Sequence, residues 1–392
     1  MRKEELLSAV WGEVRDIALF GFGRQGRGYI AELAGLYRVA AIIDNGKAGG
    51  EYNGIPVLSW QEFRRRDFAG KIVITASGRA HREITEILMG SGLLALRDFM
   101  DVDMFLAFSN WYKDKRLVLG RVAIPVTERC TFRCEKCMVS VPYIKAPVHY
   151  SCDSLCADAD MLFSRADYVG VVQFFGGEPY LNKDLPRYIA YLERKYKDRI
   201  GIIQIISNAS VLPSEELLKV FLENGNIDVR FSDYTAHVPY QKRFDEVQAL
   251  LRARCIACTV ERFGWLDMGH PLAEIRMGAS PEEIAAHMAD CSGRCQTFSG
   301  GKYYFCSRAW GAEKAYGVKL AEGGDWLDCA AASKEDLMLF HVGLMRQGFS
   351  PFCGCCRGFD CGIPLEPGVQ IAASRKAGGG DASGMPAISR PL

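Results

Sequence analysis

The chain has 392 residues, about half of them hydrophobic; that is too long for one comfortable core, and at roughly 150 residues per domain it suggests two or three domains. Its 48 basic and 47 acidic residues leave a formal charge of +1, so it lacks the electrostatic footprint of a nucleic-acid or anionic-membrane binder, and small, near-neutral partners are expected. No stretch approaches the roughly eighteen uninterrupted apolar residues of a membrane-spanning helix.

The opening run MRKEELLSAVWGEVRD alternates charged and apolar residues as an amphipathic helix does and lacks the continuous apolar core of a signal peptide, so the protein is expected in the cytoplasm. Residues 16 to 44 then read strand, glycine turn, helix, strand. Ile17 to Phe20 are apolar as a buried parallel strand should be, and Gly21, Gly23 and Gly26 form G-x-G-x-x-G at the helix start. Asp44 follows Gly26 by eighteen residues, about where an acidic ribose ligand sits in dinucleotide-binding folds. A strand at 71 to 78 and a helix at 80 to 90 extend the doubly wound pattern into a Rossmann-like domain over 1 to 105. It reads either as a site for NAD(P) or a nucleotide-sugar on the helix N-terminus, or as a degenerate domain kept for packing or assembly.

From 118 the alternation of strand and helix begins again and continues to about 262, which predicts a parallel sheet closing as a partial (β/α)6 barrel over 118 to 285. Active sites in such sheets gather at the C-terminal ends of the strands. Residues 286 to 371 change to cysteines, a hairpin turning on Gly300 and Gly301, and irregular segments. The small, polar, glycine-rich tail from 372 to 392 is expected to be disordered.

The 15 cysteines cluster, with three between 130 and 137, three between 291 and 306 and four between 353 and 361. In a reducing compartment that favours metal binding over disulfides. Cys130, Cys134 and Cys137 form C-x3-C-x2-C just after the first strand of the second unit, a soft thiolate set suited to zinc or an iron-sulfur cluster. A structural zinc would be closed by a fourth protein ligand, whereas a cubane on three cysteines keeps one iron open. Cys152 with Cys156, and Cys255 with Cys258, read as buried free thiols. The six histidines show no metal-ligand spacing.

The cysteine loop at that place in a β/α sheet resembles the radical S-adenosylmethionine (SAM) enzymes. The next strand ends in Gly176, Gly177, Glu178 and Pro179, matching the family's G-G-E-P motif; Ser207 and Asn208 end the third strand, and Ser232 and Asp233 the fourth. The resemblance covers 118 to 262. It implies a 4Fe-4S cluster on the three cysteines, SAM at its open iron held by the G-G-E-P backbone and glutamate and by the polar strand ends, and a 5'-deoxyadenosyl radical that takes hydrogen from the substrate. Glycines are expected to allow the methionine ammonium to approach closely. Lys136 stands where most relatives carry an aromatic beside the adenine.

The third region resembles the SPASM and twitch branches of that family, with Cys291, Gly301 and Cys306 as an opening pattern and Cys353 with Cys356 as a later C-x2-C. Family spacing nominates Cys291 as a ligand, whereas pairing back from the hairpin sets Cys295 opposite Cys306; the choice stays open at this point. One auxiliary 4Fe-4S cluster fits better than two, with a zinc site as the alternative. The resemblance implies an oxygen-sensitive enzyme fed by an electron donor such as flavodoxin or ferredoxin, acting on a small molecule such as a sugar or nucleotide-sugar. A peptide-modifying maturase and a zinc-stabilised Rossmann-type binding protein are the alternatives.

Overall fold

The computed structural model describes residues 14–262, 264–276, 278–291, 295–359 and 361–371; the amphipathic stretch before 14 and the tail from 372 lie outside them. The first sheet is built from β1 (Asp16–Phe20), β2 (Arg38–Ile43), β3 (Glu51–Tyr52), β4 (Ile55–Leu58), β5 (Lys71–Ile74) and β6 (Phe99–Asp101) in the order β3-β4-β2-β1-β5-β6. All neighbours are parallel except β3 and β4. Ile17, Ala18, Leu19 and Phe20 of β1 are buried on both faces, which is why that strand reads as a continuous apolar run. Strand order reverses between β1 and β5, so the glycine turn after β1 stands at the switch point of the sheet.

The helix Val102–Asp114, capped by the Asp101 side chain accepting from the Met104 N–H at 2.8 Å, joins this sheet to the next. Its buried Phe105 and Phe108 belong to one continuous cluster that includes Ile17 and Leu19 of β1 and Leu119, Val122 and Ile124 of the following strand. The apolar core therefore runs unbroken between the two sheets.

The second sheet contains β7 (Val118–Thr127), β8 (Tyr168–Gly176), β9 (Ile200–Ser207), β10 (Ile227–Ser232) and β11 (Cys258–Glu261), all parallel. The helices Cys152–Arg165, Leu185–Tyr196, Glu215–Glu223 and Gln241–Ala253 connect them in turn. The result is a mixed α/β fold consistent with a partial barrel. The short β12 (Trp265–Leu266) stands apart from this sheet. The sixth parallel strand does not follow β11: it is β13 (Thr297–Ser299), which joins the free edge of β7 through Thr297 and Ala123. β14 (Lys302–Tyr304) and β15 (Trp326–Asp328) extend that edge antiparallel. Three-residue strands are too short to show alternation, so this region reads as irregular in sequence. The Gly300–Gly301 turn has both φ angles positive, 60° and 75°, as a two-residue hairpin turn requires. Finally β16 (Pro364–Leu365) pairs antiparallel with β12, laying the end of the described chain across the mouth of the sheet. No helix among the described residues is long and apolar enough to cross a membrane.

Candidate active site

The loop after β7 carries Cys130, Cys134 and Cys137 and is held against the end of β8 by backbone bonds: Gly177 N–H to the Thr127 carbonyl at 3.0 Å and Glu178 N–H to the Arg129 carbonyl at 2.9 Å. A Cβ on Gly176, whose φ is +139°, would lie 2.0 Å from the Thr127 oxygen, and one on Gly177 would lie 1.9 Å from the Arg129 oxygen. The glycines were expected to admit a ligand's ammonium. Their Cβ positions meet the backbone of the cysteine loop, so the two motifs also share one packing constraint.

Glu178 is fully buried. Its carboxylate accepts from the Tyr180 N–H at 3.1 Å, the Ser207 hydroxyl at 2.8 Å and the Asn208 N–H at 2.7 Å. It thus ties β8 to β9, and burial pushes it up to about 7 despite the pull of those three donors. Pro179 opens a short 3-10 turn, Pro179–Leu181, and is buried with Tyr180. Asp233 likewise turns away, receiving Arg262 at 2.7 Å and Thr235 at 2.7 Å.

A cavity of about 480 Å³ gathers the remaining candidates. Cys130, Cys134 and Cys137 open on it from one side, and Gly176, Gly177, Ser207, Asn208 and Ser232 from the strand ends. The Asn208 amide reaches Cys130 Sγ at 3.6 Å and Thr131 Oγ1 at 3.3 Å. Burial pushes Cys130 up to about 12 and Cys134 up to about 11, and raises Cys137 as well. Without a cation these are neutral thiols at pH 7, and loading a metal would release their protons. Among the described residues no three His, Cys, Asp or Glu side chains draw together closely enough to hold a single ion.

Sequence reading missed the floor of the cavity. Gln173, Gln204 and Asp228 are direct neighbours in register on β8, β9 and β10. They bond in series, Gln173 to Gln204 at 2.6 Å and Gln204 to Asp228 at 2.8 Å, and Arg230 links Asp228 to Glu261 at 2.8 and 3.0 Å. The signal was a lone glutamine inside each of the apolar strands VVQFF and IIQII, a polar group that burial tolerates only with a partner. Tyr234 also lines the cavity, with Phe132, Trp265 and Lys136.

The later cysteines divide. Burial and then the neighbouring Cys291 and Cys356 push Cys306 up to about 12, and Cys353 is raised by burial and by Cys306, Cys356 and Cys291. Those four cysteines thus stand near enough to influence one another's protonation. Cys295 does follow the hairpin register, its carbonyl accepting from the Ser307 N–H at 2.9 Å, but its thiol lines the central cavity and donates to Gln173 Oε1 at 3.5 Å. The nomination of Cys295 alongside Cys306 is corrected: the backbones pair while the thiols diverge. Beside the group of four, the almost fully buried Arg308 bonds the Met268 and Gly269 carbonyls and leaves its Nε without a partner. Cys152 and Cys156 lie on a helix with sulfurs 3.7 Å apart. Cys255, expected to be buried, is exposed just before β11, and Cys258 is half-buried at that strand's start.

In the first sheet the three glycines differ. Gly21 has φ +116° and its Cβ position meets Ala76; a Cβ on Gly26 would strike the Gly21 carbonyl at 2.0 Å; Gly23 has open space. The first glycine thus serves the turn, the third the close packing of helix on strand, and the second leaves its backbone open. Asp44 accepts from the Phe22 N–H at 2.9 Å and the Gly46 N–H at 3.0 Å, so it is engaged by the turn.

The radical SAM superfamily profile matches residues 124–248, from the middle of β7 into the helix before β11. The chain carries a radical SAM domain, the domain of enzymes that use a 4Fe-4S cluster and SAM. GTP 3',8-cyclase of Clostridium acetobutylicum is 34% identical over 110 residues, 27% of this chain and 33% of that protein. GTP 3',8-cyclase of Campylobacter lari is 31% identical over 119 residues, 29% of this chain and 35% of that one. The chain thus spans about a third of the length of these relatives. Among solved structures, Streptococcus suis SuiB bound to precursor peptide SuiA is 14% identical over 46% of this chain and 38% of its own, with a TM-score of 0.32. BtrN in complex with AdoMet and 2-DOIA is 14% identical over 64% of this chain and 96% of its own, with a TM-score of 0.37.

Proposed function

We propose that the chain is a radical SAM enzyme acting on a small molecule, a sugar or nucleotide-sugar, in the cavity under the cysteine loop. The observation that carries this reading is the opening of Cys130, Cys134 and Cys137 onto the same space as the strand ends Gly176, Ser207 and Ser232. The donor set fits a cubane in its chemistry: three soft thiols on one loop, opening on one cavity, with the fourth position left to a ligand. Cys130, Cys134 and Cys137 would hold the 4Fe-4S cluster, and the Gly176–Gly177 edge with Ser207, Asn208 and Ser232 would hold SAM. When bound, the pair supplies reductive cleavage of SAM and hydrogen abstraction from the substrate.

This chain's residues bind, orient and exclude water. Phe132, Tyr234 and Trp265, with ring centroids 6.3 and 5.6 Å apart in sequence, offer aromatic walls for adenine in place of the side chain that Lys136 lacks. The Gln173, Gln204 and Arg230 floor offers donors to a hydroxylated substrate. The relatives named GTP 3',8-cyclase are in keeping with a nucleotide-bearing substrate.

Cys291, Cys306, Cys353 and Cys356 would hold a second 4Fe-4S cluster in an auxiliary unit over 286 to 371, beside the radical SAM unit over 118 to 285. The buried Arg308 cation would offset its thiolate charge. Anaerobic reconstitution should give a brown protein, bleached by dithionite, that converts SAM to 5'-deoxyadenosine. A colourless protein holding stoichiometric zinc, with no cleavage, would sink the reading. Replacing Cys353 and Cys356 together should remove about four irons per chain and leave the first cluster.

The Rossmann-like unit over 1 to 105 would bind NAD(P) or a nucleotide-sugar at the Gly21–Gly26 turn. Gly23→Ala should fold normally, because its Cβ has nothing within 4 Å, yet hinder backbone approach to a diphosphate. Titration with NADH, NADPH and UDP-glucose, followed by calorimetry, checks this; no binding by the wild type, or equal binding by the variant, removes the claim.

A further inference from the structure

The end of the described chain is stitched to the cysteine loop. After β16, His237 Nε2 meets Glu366 Oε2 at 2.9 Å, and Gly368, with φ +80°, passes so close to Tyr234 that a Cβ there would lie 2.9 Å from the Tyr234 Cβ. Residues 369 to 371 then pair with the loop: the Glu135 N–H bonds the Val369 carbonyl at 2.8 Å and the Ile371 N–H bonds the Arg133 carbonyl at 2.8 Å, with Cys134 opposite Gln370. The Gln370 side chain is fully engaged. Its Oε1 accepts from the Arg133 N–H at 2.7 Å, and its Nε2 donates to the Gly368 carbonyl at 2.6 Å and to Cys134 Sγ at 3.3 Å. Because Oε1 must face a backbone donor, the amide cannot flip, and an N–H is obliged to point at the sulfur.

We infer that Gln370 is a positioning residue for the first cysteine group: its amide donates a hydrogen bond to the Cys134 thiolate and raises the reduction potential of the cluster held there. The inference rests on the proposed reading of Cys130, Cys134 and Cys137 as cluster ligands. A donor on a ligating sulfur stabilises the more negative, reduced state, so it makes the cluster easier to reduce. The strap delivers this donor from 236 residues away and pairs with both neighbours of Cys134, so it also sets where that thiolate stands.

The test uses full-length protein, anaerobically reconstituted, with iron and sulfide assays and an EPR-monitored redox titration of the signal that Cys137→Ala abolishes. Gln370→Leu removes the donor without adding charge and should shift that potential to a more negative value. Gln370→Glu keeps an acceptor for the Arg133 N–H, so the strap stays docked, and should retain iron while shifting the potential in the same direction. A loaded wild type with an unchanged potential in Gln370→Leu overturns the inference alone. Should that variant fail to load, an unchanged potential in Gln370→Glu overturns it equally. A wild type that takes up no iron overturns the reading of the cysteine group and this inference with it.

Discussion

Replacing Cys137 by alanine is expected to abolish the proposed SAM cleavage and to remove about four irons per chain, while the fold survives. Cys137 sits among partly buried residues packed on Val139, Val141 and Trp310, so losing one sulfur leaves a small void and costs about 1 kcal/mol. Its thiol has no other chemistry to perform: burial holds it protonated, and it faces the cavity shared with Cys130 and Cys134. Iron analysis with liquid chromatography of 5'-deoxyadenosine checks this. Cys255→Ala, on an exposed thiol far along the chain, serves as the control and should leave both quantities unchanged. Cleavage persisting at wild-type rates in Cys137→Ala would mean that the cavity's sulfurs do not carry the reaction.

Gly177→Ala is expected to destabilise the protein by about 3 kcal/mol and to impair iron loading, although the residue offers no side chain to any ligand. The added Cβ would lie 1.9 Å from the Arg129 carbonyl oxygen and 2.7 Å from the Cys130 nitrogen, and both are backbone atoms that cannot swing aside. Relief requires the cysteine loop to lift off β8, which breaks the Glu178–Arg129 backbone bond and displaces Cys130. Thermal unfolding followed by circular dichroism, with iron content measured on the same samples, separates the two effects. Gly225→Ala, where nothing lies within 4 Å, should be neutral. If Gly177→Ala were equally neutral, the close packing of loop on strand would not be what the G-G pair is for.

Much of this architecture was legible because it is written in local patterns. Continuous apolar runs such as Ile17 to Phe20 signalled parallel strands buried on both faces, and the G-x-G-x-x-G turn marked the helix start. The order of elements from β7 to β11 followed from strands alternating with amphipathic helices. The hairpin at Gly300 and Gly301 was readable because only glycine adopts two successive positive φ angles without strain. β13 was not readable, since its place beside β7 depends on a single residue pair between segments far apart in sequence.

The cysteine spacing and the G-G-E-P, Ser207 and Ser232 strand ends were legible as candidates, because each is a short motif at a strand terminus whose position is set by the strand before it. What those residues do to one another was decided only in three dimensions. The Cys295 thiol bonds Gln173 while Cys291 stands near enough to Cys306 to raise it, a difference in side-chain direction that spacing does not encode. Glu178 accepts from Ser207 and Asn208, because a buried carboxylate takes the nearest donors that replace its lost water. Gln370 carried no signal at all: its contact with Cys134 exists because β16 pairs with β12 and brings a distant strap across the loop. The sequence by itself determined the donor atoms and the strands that carry them. Tertiary structure decided their partners, since burial and hydrogen bonding are settled by chain segments that local pattern cannot bring together.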